Sequence, residues 1–192
     1  TKGRVIKSDS EVKKIEEAIS ISDRAFNTVS KKIKEGMTEE EIAWEMEKEM
    51  RILGAESISF DTIVASGING AKPHHSPTGK KVSDGEAITI DMGAKFNGYC
   101  SDLTRTIFIG DPDEKFKKIY NTVLRSQLIS IETAKHGMTG EEIDRISRDI
   151  ISEEGFGENF GHSLGHGVGL EVHENPGVGP NSKNEIIPGM VY

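Results

Sequence analysis

One segment of this chain occurs twice. Lys34-Glu35-Gly36-Met37-Thr38, followed by Glu40-Glu41-Ile42, returns 101 residues later as Lys135-His136-Gly137-Met138-Thr139, followed by Glu141-Glu142-Ile143. A long segment with helical apolar spacing precedes each copy. The first runs through Val12, Ile15, Ile19, Phe26, Val29 and Ile33; the second runs through Phe116, Ile119, Tyr120, Val123, Leu124, Leu128 and Ile131. Ser8 or Ser10 can cap the first helix, and Gly36 ends it. Thr38 then caps a second helix, with Glu41 three residues on as a capping box. Ile42, Met46, Met50 and Leu53 form its buried stripe, and Gly54 stops it, as Gly155 does in the later copy. Gly-x-Thr alone is ordinary turn and cap chemistry. Here helix, junction, helix and stop share one order, which predicts two copies of a helix–helix–strand unit related by an approximate two-fold.

No low-complexity linker separates the copies; Gly110-Asp111-Pro112-Asp113 is only a tight turn. The halves, about 8–110 and 111–192, are therefore expected to form one α+β domain over residues 1–192. Strands are predicted over 58–65, 86–93 and 99–109 in the first half and over 168–172 in the second. Asn97-Gly98 between two of them is a hairpin signal.

With 34% hydrophobic and 29% charged residues, the chain has the composition of a globular domain. A net charge of −8 argues against a nucleic-acid partner. No apolar run approaches the ~20 residues that span a bilayer, so no membrane association is expected. Cys100 is the one cysteine, which rules out an internal disulfide and fits a reducing cytoplasm. It is expected to be a buried small residue rather than a nucleophile. No apolar signal core follows the start, so secretion is not expected, and a first residue Thr1 in place of Met is expected of a fragment or trimmed terminus.

Two acids mark the first half: Asp91 in Ile90-Asp91-Met92-Gly93 and Asp102 in Ser101-Asp102-Leu103-Thr104. A four-residue loop over 95–98 would set them directly opposite, with Cβ atoms about 5 Å apart. A strict two-residue Asn-Gly turn would instead bring Thr104 opposite Asp91. Two carboxylates that close need a proton or cation between them; the alternative is a solvated acidic sheet face. In the second half, His162, His166 and His173 fall within twelve residues, among five glycines, in a chain with six histidines. On a strand after His166, Glu171 and His173 would share one face. Carboxylates with imidazole suit Mn²⁺, Co²⁺ or Zn²⁺ better than Ca²⁺. His74 lies in Lys72-Pro73-His74-His75-Ser76-Pro77, a proline-restricted loop.

Together these residues resemble the pita-bread metallopeptidases, and among them the Xaa-Pro dipeptidase (prolidase) and Xaa-Pro aminopeptidase branch. The resemblance runs from about residue 8 to the end and is most specific at 66–74, at Ile90-Asp91-Met92-Gly93, at Ser101-Asp102-Leu103-Thr104-Arg105-Thr106 and at 165–174. It implies a pita-bread (creatinase/aminopeptidase) fold and hydrolysis of the bond before proline in small peptides. It implies Asp91, Asp102 and His166 as metal ligands and His74, His162 and His173 as catalytic pocket residues. Two divalent ions are implied, with Mn²⁺ expected and Co²⁺ or Zn²⁺ as alternatives. The family also uses two further glutamates. Pro188-Gly189-Met190 resembles Asp84-Gly85-Glu86, and on that alignment the counterpart of Asp91 would fall beyond Tyr192. The expectation is thus a catalytic domain lacking its C-terminal strands and the family's N-terminal domain, with weak or single metal binding. Alternative readings are a non-catalytic peptide-binding member of the fold and a methionine aminopeptidase; a homodimer is compatible with either.

Overall fold

The structure, a computed structural model, describes residues 2–192; the reading of the terminus from Thr1 falls outside them. The chain divides into two compact units. One holds Asp9–Pro112 with Gly169–Val172; the other holds Asp113–Val168 and His173–Tyr192 with the N-terminal segment up to Ser8.

In the first unit, helix α2 (Asp9–Val29) and helix α3 (Glu39–Ile52) cover one face of short antiparallel strands; Lys2–Val5 is a helical turn, α1, belonging to the other unit. The predicted first helix reaches Gly36, but α2 ends at Val29. A 3-10 turn (Ser30–Lys32) follows, and Ile33 is extended. Thr38 and Glu41 make the expected reciprocal capping box on α3. The strand predicted over 58–65 is two strands in separate sheets, β1 (Ser57–Ile58) and β2 (Ile63–Ser66). Strands β3 (Ala87–Met92), β4 (Ala94–Phe96), β5 (Tyr99–Cys100) and β6 (Leu103–Phe108) complete the unit. Their sheets are ordered β2-β3-β6 and β1-β4-β5. Ile88, Ile90 and Met92 alternate into a core with Ile42, Met46, Met50, Ile21, Ala25 and Val29. Thr89 and Asp91 are left on the other face of β3.

The hairpin turns on two residues. Asn97 (φ 48) and Gly98 (φ 80) are both left-handed, as a type I′ turn requires. Phe96 therefore pairs with Tyr99, and the register carries through to Met92↔Leu103 and Asp91↔Thr104. The ladder breaks at Gly93 and again at residues 101–102, where the chain leaves strand geometry. Ser22 of α2 stitches this break: its Oγ lies 2.7 Å from Ser101 Oγ, and both hydroxyls accept the Ala94 amide, at 3.0 and 2.9 Å.

In the second unit, α4 (Glu114–Thr133) and α5 (Gly140–Glu153) pack together, and β7 (Gly165–Gly167) pairs with β8 (Glu174–Val178). The repeat is written in hydrogen bonds. Gly36 N donates to Val82 O (2.9 Å) and Val82 N to Met37 O (2.8 Å); Gly137 N donates to Ile186 O (2.9 Å) and Ile186 N to Met138 O (2.8 Å). Thr139 and Glu142 repeat the capping box. The strand predicted over 168–172 is absent. Those residues form the bend between β7 and β8, and Gly169 O accepts the Cys100 amide at 2.7 Å. The core here is small, built on Ile143, Val178 and Ile186. Helix α4 turns Thr122, Ser126 and Ser130 inward and leaves Tyr120, Val123, Leu124, Leu128 and Ile131 exposed, by 38–68%.

A Cβ built on Gly93 would lie 2.1 Å from Ser101 O, a backbone atom that cannot swing aside. Gly93→Ala is expected to lower unfolding free energy by about 1–3 kcal/mol by overpacking, read from urea denaturation. A loss under a few tenths would show that the break between Asp91 and Asp102 is loosely held.

Candidate active site

The register corrects one expectation. Thr104, not Asp102, faces Asp91, because the two-residue turn prevails over the four-residue loop. Ile63 flanks Asp91 on its other side. Asp102 lies at the break in the ladder, one residue before β6 and two residues from the partner of Asp91. Asp91 is half-buried and Asp102 exposed.

His162, His166 and His173 all belong to the second unit. His166 sits on β7, and its ring centroid lies 4.1 Å from that of His173, just before β8. Glu171 and His173 share no strand face, since both lie in the bend. His166 Nδ1 approaches Gly167 O at 3.1 Å. A carbonyl can only accept, so Nδ1 carries the proton and the imidazole lone pair lies on Nε2. His162 does the same with Ser163 O, at 2.8 Å. The residue after His173 is fixed by charge: Glu174, with a side chain 6% exposed, is paired with Arg4 and with buried Lys7 at 3.3 Å.

Among the described residues, no three His, Cys, Asp or Glu side chains are gathered into a metal cage. The donor chemistry nevertheless fits a divalent ion. Asp91 and Asp102 are carboxylates and His166 is an imidazole, the donor types that first-row divalent ions take.

His74 is exposed, and what holds its loop was not foreseen. Its neighbour His75 is 8% exposed and reaches Glu39, at the first turn of α3, which is wholly buried. Glu39 Oε1 accepts from Ser66 N (2.8 Å), Ser66 Oγ (2.8 Å) and Asn69 Nδ2 (2.9 Å). Its Oε2 accepts from Thr78 N (3.1 Å) and Thr78 Oγ1 (2.8 Å) and lies 2.8 Å from His75 Nε2. Lys80 bridges outward, from Ser66 Oγ (3.0 Å) to Glu86 (2.8 Å). Burial alone would push the Glu39 carboxyl up. Donors from Asn69, His75, Ser66 and Thr78 outweigh it and hold the group far below its ordinary value of 4.5. A signal for this was available: Glu39 keeps the 3- and 4-residue spacing of Ile42, Met46 and Met50, so helix geometry turns it inward.

Residues 13–192 match metallopeptidase family M24. The chain belongs to this family. It is 48% identical over 188 residues to a Xaa-Pro dipeptidase of Pyrococcus horikoshii, covering 98% of this chain and 54% of the relative. A solved Xaa-Pro dipeptidase of Bacillus anthracis superposes with a TM-score of 0.97 at 49% identity, over 98% of this chain and 53% of the other. An X-Pro aminopeptidase of Thermotoga maritima gives 0.96 at 44% identity, over 98% and 54%. The pita-bread fold expected from the sequence is thereby shown. The chain spans about half the length of the curated relatives it matches. Family M24 is one of metallopeptidases, whose members work with divalent metal ions.

Because the folded Glu39 carboxyl is depressed, its stabilisation is complete above the ordinary value and fades as pH falls toward the folded one. Unfolding free energy is therefore expected to start dropping at about pH 5 and to keep falling through the acid range. Glu39→Gln should cost about 3–5 kcal/mol near neutrality and flatten that acid slope. Urea titrations across pH measure both, and an unchanged slope would remove Glu39 as the acid-labile group.

Proposed function

We propose that this chain carries ligands and pocket residues of a dinuclear-metal exopeptidase that hydrolyses the peptide bond before proline. The observation that carries the reading is the pairing of chemistries: Asp91 near the end of β3 and Asp102 just before β6, the strand that pairs with it, and an imidazole, His166, whose Nδ1 bonds Gly167 O. Names of relatives at 44–49% identity support the Xaa-Pro specificity.

In this reading Asp91, Asp102 and His166 hold the metal. An oxygen-rich set with one imidazole favours Mn²⁺, with Co²⁺ or Zn²⁺ as alternatives. When bound, such ions polarise a carbonyl oxygen and acidify water. His74, His162 and His173 serve the substrate. Protonated at Nδ1, His162 presents Nε2 to accept a hydrogen bond when neutral and to donate one when charged, which suits a group facing an oxygen that gains charge. His173, whose ring lies 4.1 Å from that of His166, is read in the same role. Small peptides with proline second are the substrates, and the single buried cysteine suits a reducing cytoplasm. No described helix is long and apolar enough to cross a membrane.

A second reading, cleavage of longer peptides, is favoured by the likeness to the Thermotoga aminopeptidase. Assays with Xaa-Pro dipeptides, Xaa-Pro tripeptides and Met-Ala peptides separate the readings: cleavage confined to Met-Ala would overturn both Xaa-Pro readings. In calorimetric titration with Mn²⁺, the 192-residue chain is expected to take up one equivalent weakly. Asp91→Asn and His166→Ala should each weaken that uptake by at least about tenfold. Two tightly held equivalents, or variants that bind as well as the parent, would overturn the ligand assignment.

A further inference from the structure

We propose that Arg148 is a positioning residue for His162, holding the loop that presents this imidazole by way of its ion pair with the buried Asp144 of α5. The proposal rests on the reading of His162 as a substrate-side group.

Asp144 and Arg148 stand one turn apart on α5, and Asp144 is 1% exposed. Arg148 meets it with a two-pronged contact, Nε to Oδ2 at 2.8 Å and Nη2 to Oδ1 at 3.0 Å. The pair then reaches out of the helix to three backbone atoms of the following loop. Arg148 Nη1 donates to Phe160 O at 2.8 Å, Arg148 Nη2 donates to His162 O at 2.9 Å, and Leu164 N donates to Asp144 Oδ1 at 2.9 Å. The clamp thus grips alternate residues 160, 162 and 164. Its centre is the residue whose side chain is left exposed.

A second line of contact reaches the imidazole itself. The Arg148 guanidinium stacks 4.3 Å over the Phe160 ring, and that ring meets His162 edge-on, with centroids 4.9 Å apart and planes at 88°. Backbone and ring contacts together fix the main chain and one wall of the side chain. The remaining freedom is taken up by the Nδ1 contact with Ser163 O. Such restraint is needed because Gly157, Gly161 and Gly165 surround this loop, and glycine loses the most backbone freedom on ordering.

Only arginine can do this. Its planar fork supplies four of these contacts at once, two to Asp144 and two to the loop carbonyls; lysine supplies one compact charge on a flexible stem. Arg148→Lys therefore keeps the charge beside Asp144 and removes the grip on the loop.

The test uses the 192-residue chain. Imidazole ¹⁵N spectra, with His162 assigned through His162→Gln, should show the Nδ1-protonated tautomer in the parent. In Arg148→Lys that preference should give way to the mixture of a free imidazole. Amide exchange at Leu164 should become about ten- to a hundredfold faster, the loss expected of hydrogen bonds to a charged group. Exchange at Ile186, whose amide bonds to Met138 O in the core of the same unit, should stay within about twofold. An unchanged tautomer with unchanged Leu164 exchange overturns the proposal. So does equal acceleration at Ile186, including outright unfolding, which would make the pair a support of the whole unit. Adding Gly-Pro with Zn²⁺ as a diamagnetic ion judges the functional reading separately. His162 signals that do not move on addition defeat the substrate-side role, while the tautomer and exchange results still decide the clamp.

Discussion

A carboxylate shut away from water must be met by hydrogen-bond donors or give up its charge. That demand organises both units. Glu39 is wholly buried and draws Ser66, Asn69, His75 and Thr78 onto its two oxygens, which fastens the end of β2, the 3-10 turn after it and the loop carrying His74. Asp144 is as deeply buried and draws Arg148 and the Leu164 amide. In each case the acid lies on the inward stripe of a short helix, and the segment it tethers exposes a histidine to solvent. The loops gain order from charge satisfied inside the fold, and at His162 from the Phe160 ring as well.

The two units solve the problem differently at matched positions. Gly140 is the repeat counterpart of Glu39, and a side chain there would run into Gly177 O at 2.2 Å. Strand β8 occupies the space that Glu39 fills in the first unit. The second unit therefore places its acid one turn later on α5 and adds an arginine to span the extra distance.

Much of this was legible in the sequence. The repeated Gly-Met-Thr junction, the two capping boxes and the stripe of Ile42, Met46 and Met50 depend on local spacing, and the structure reproduces them. The errors arose where a local signal had two outcomes. Asn97-Gly98 fits both a two-residue turn and a longer loop; only positive φ at both residues selects the first, and that choice sets which residue of β6 faces Asp91. The alternation at 168–172 has the period of a strand, yet the chain bends there, from Gly169 on, and closes the hairpin between β7 and β8. Glu39 and Asp144 could have been found by extending the apolar stripe of each helix through its charged residues. Their partners could not, because Ser66, Thr78 and Phe160 O meet them through the fold alone.

Helix α4 carries its own consequence. It buries small polar residues, whose hydroxyls at Thr122 and Ser126 bond its own backbone, and turns Tyr120, Val123, Leu124, Leu128 and Ile131 outward, an oily band on a folded protein. Dyes that fluoresce on apolar surface should light up on this chain in its native state. A bright signal from such a dye, usually taken as the mark of a loosened interior, would here report an intact helix.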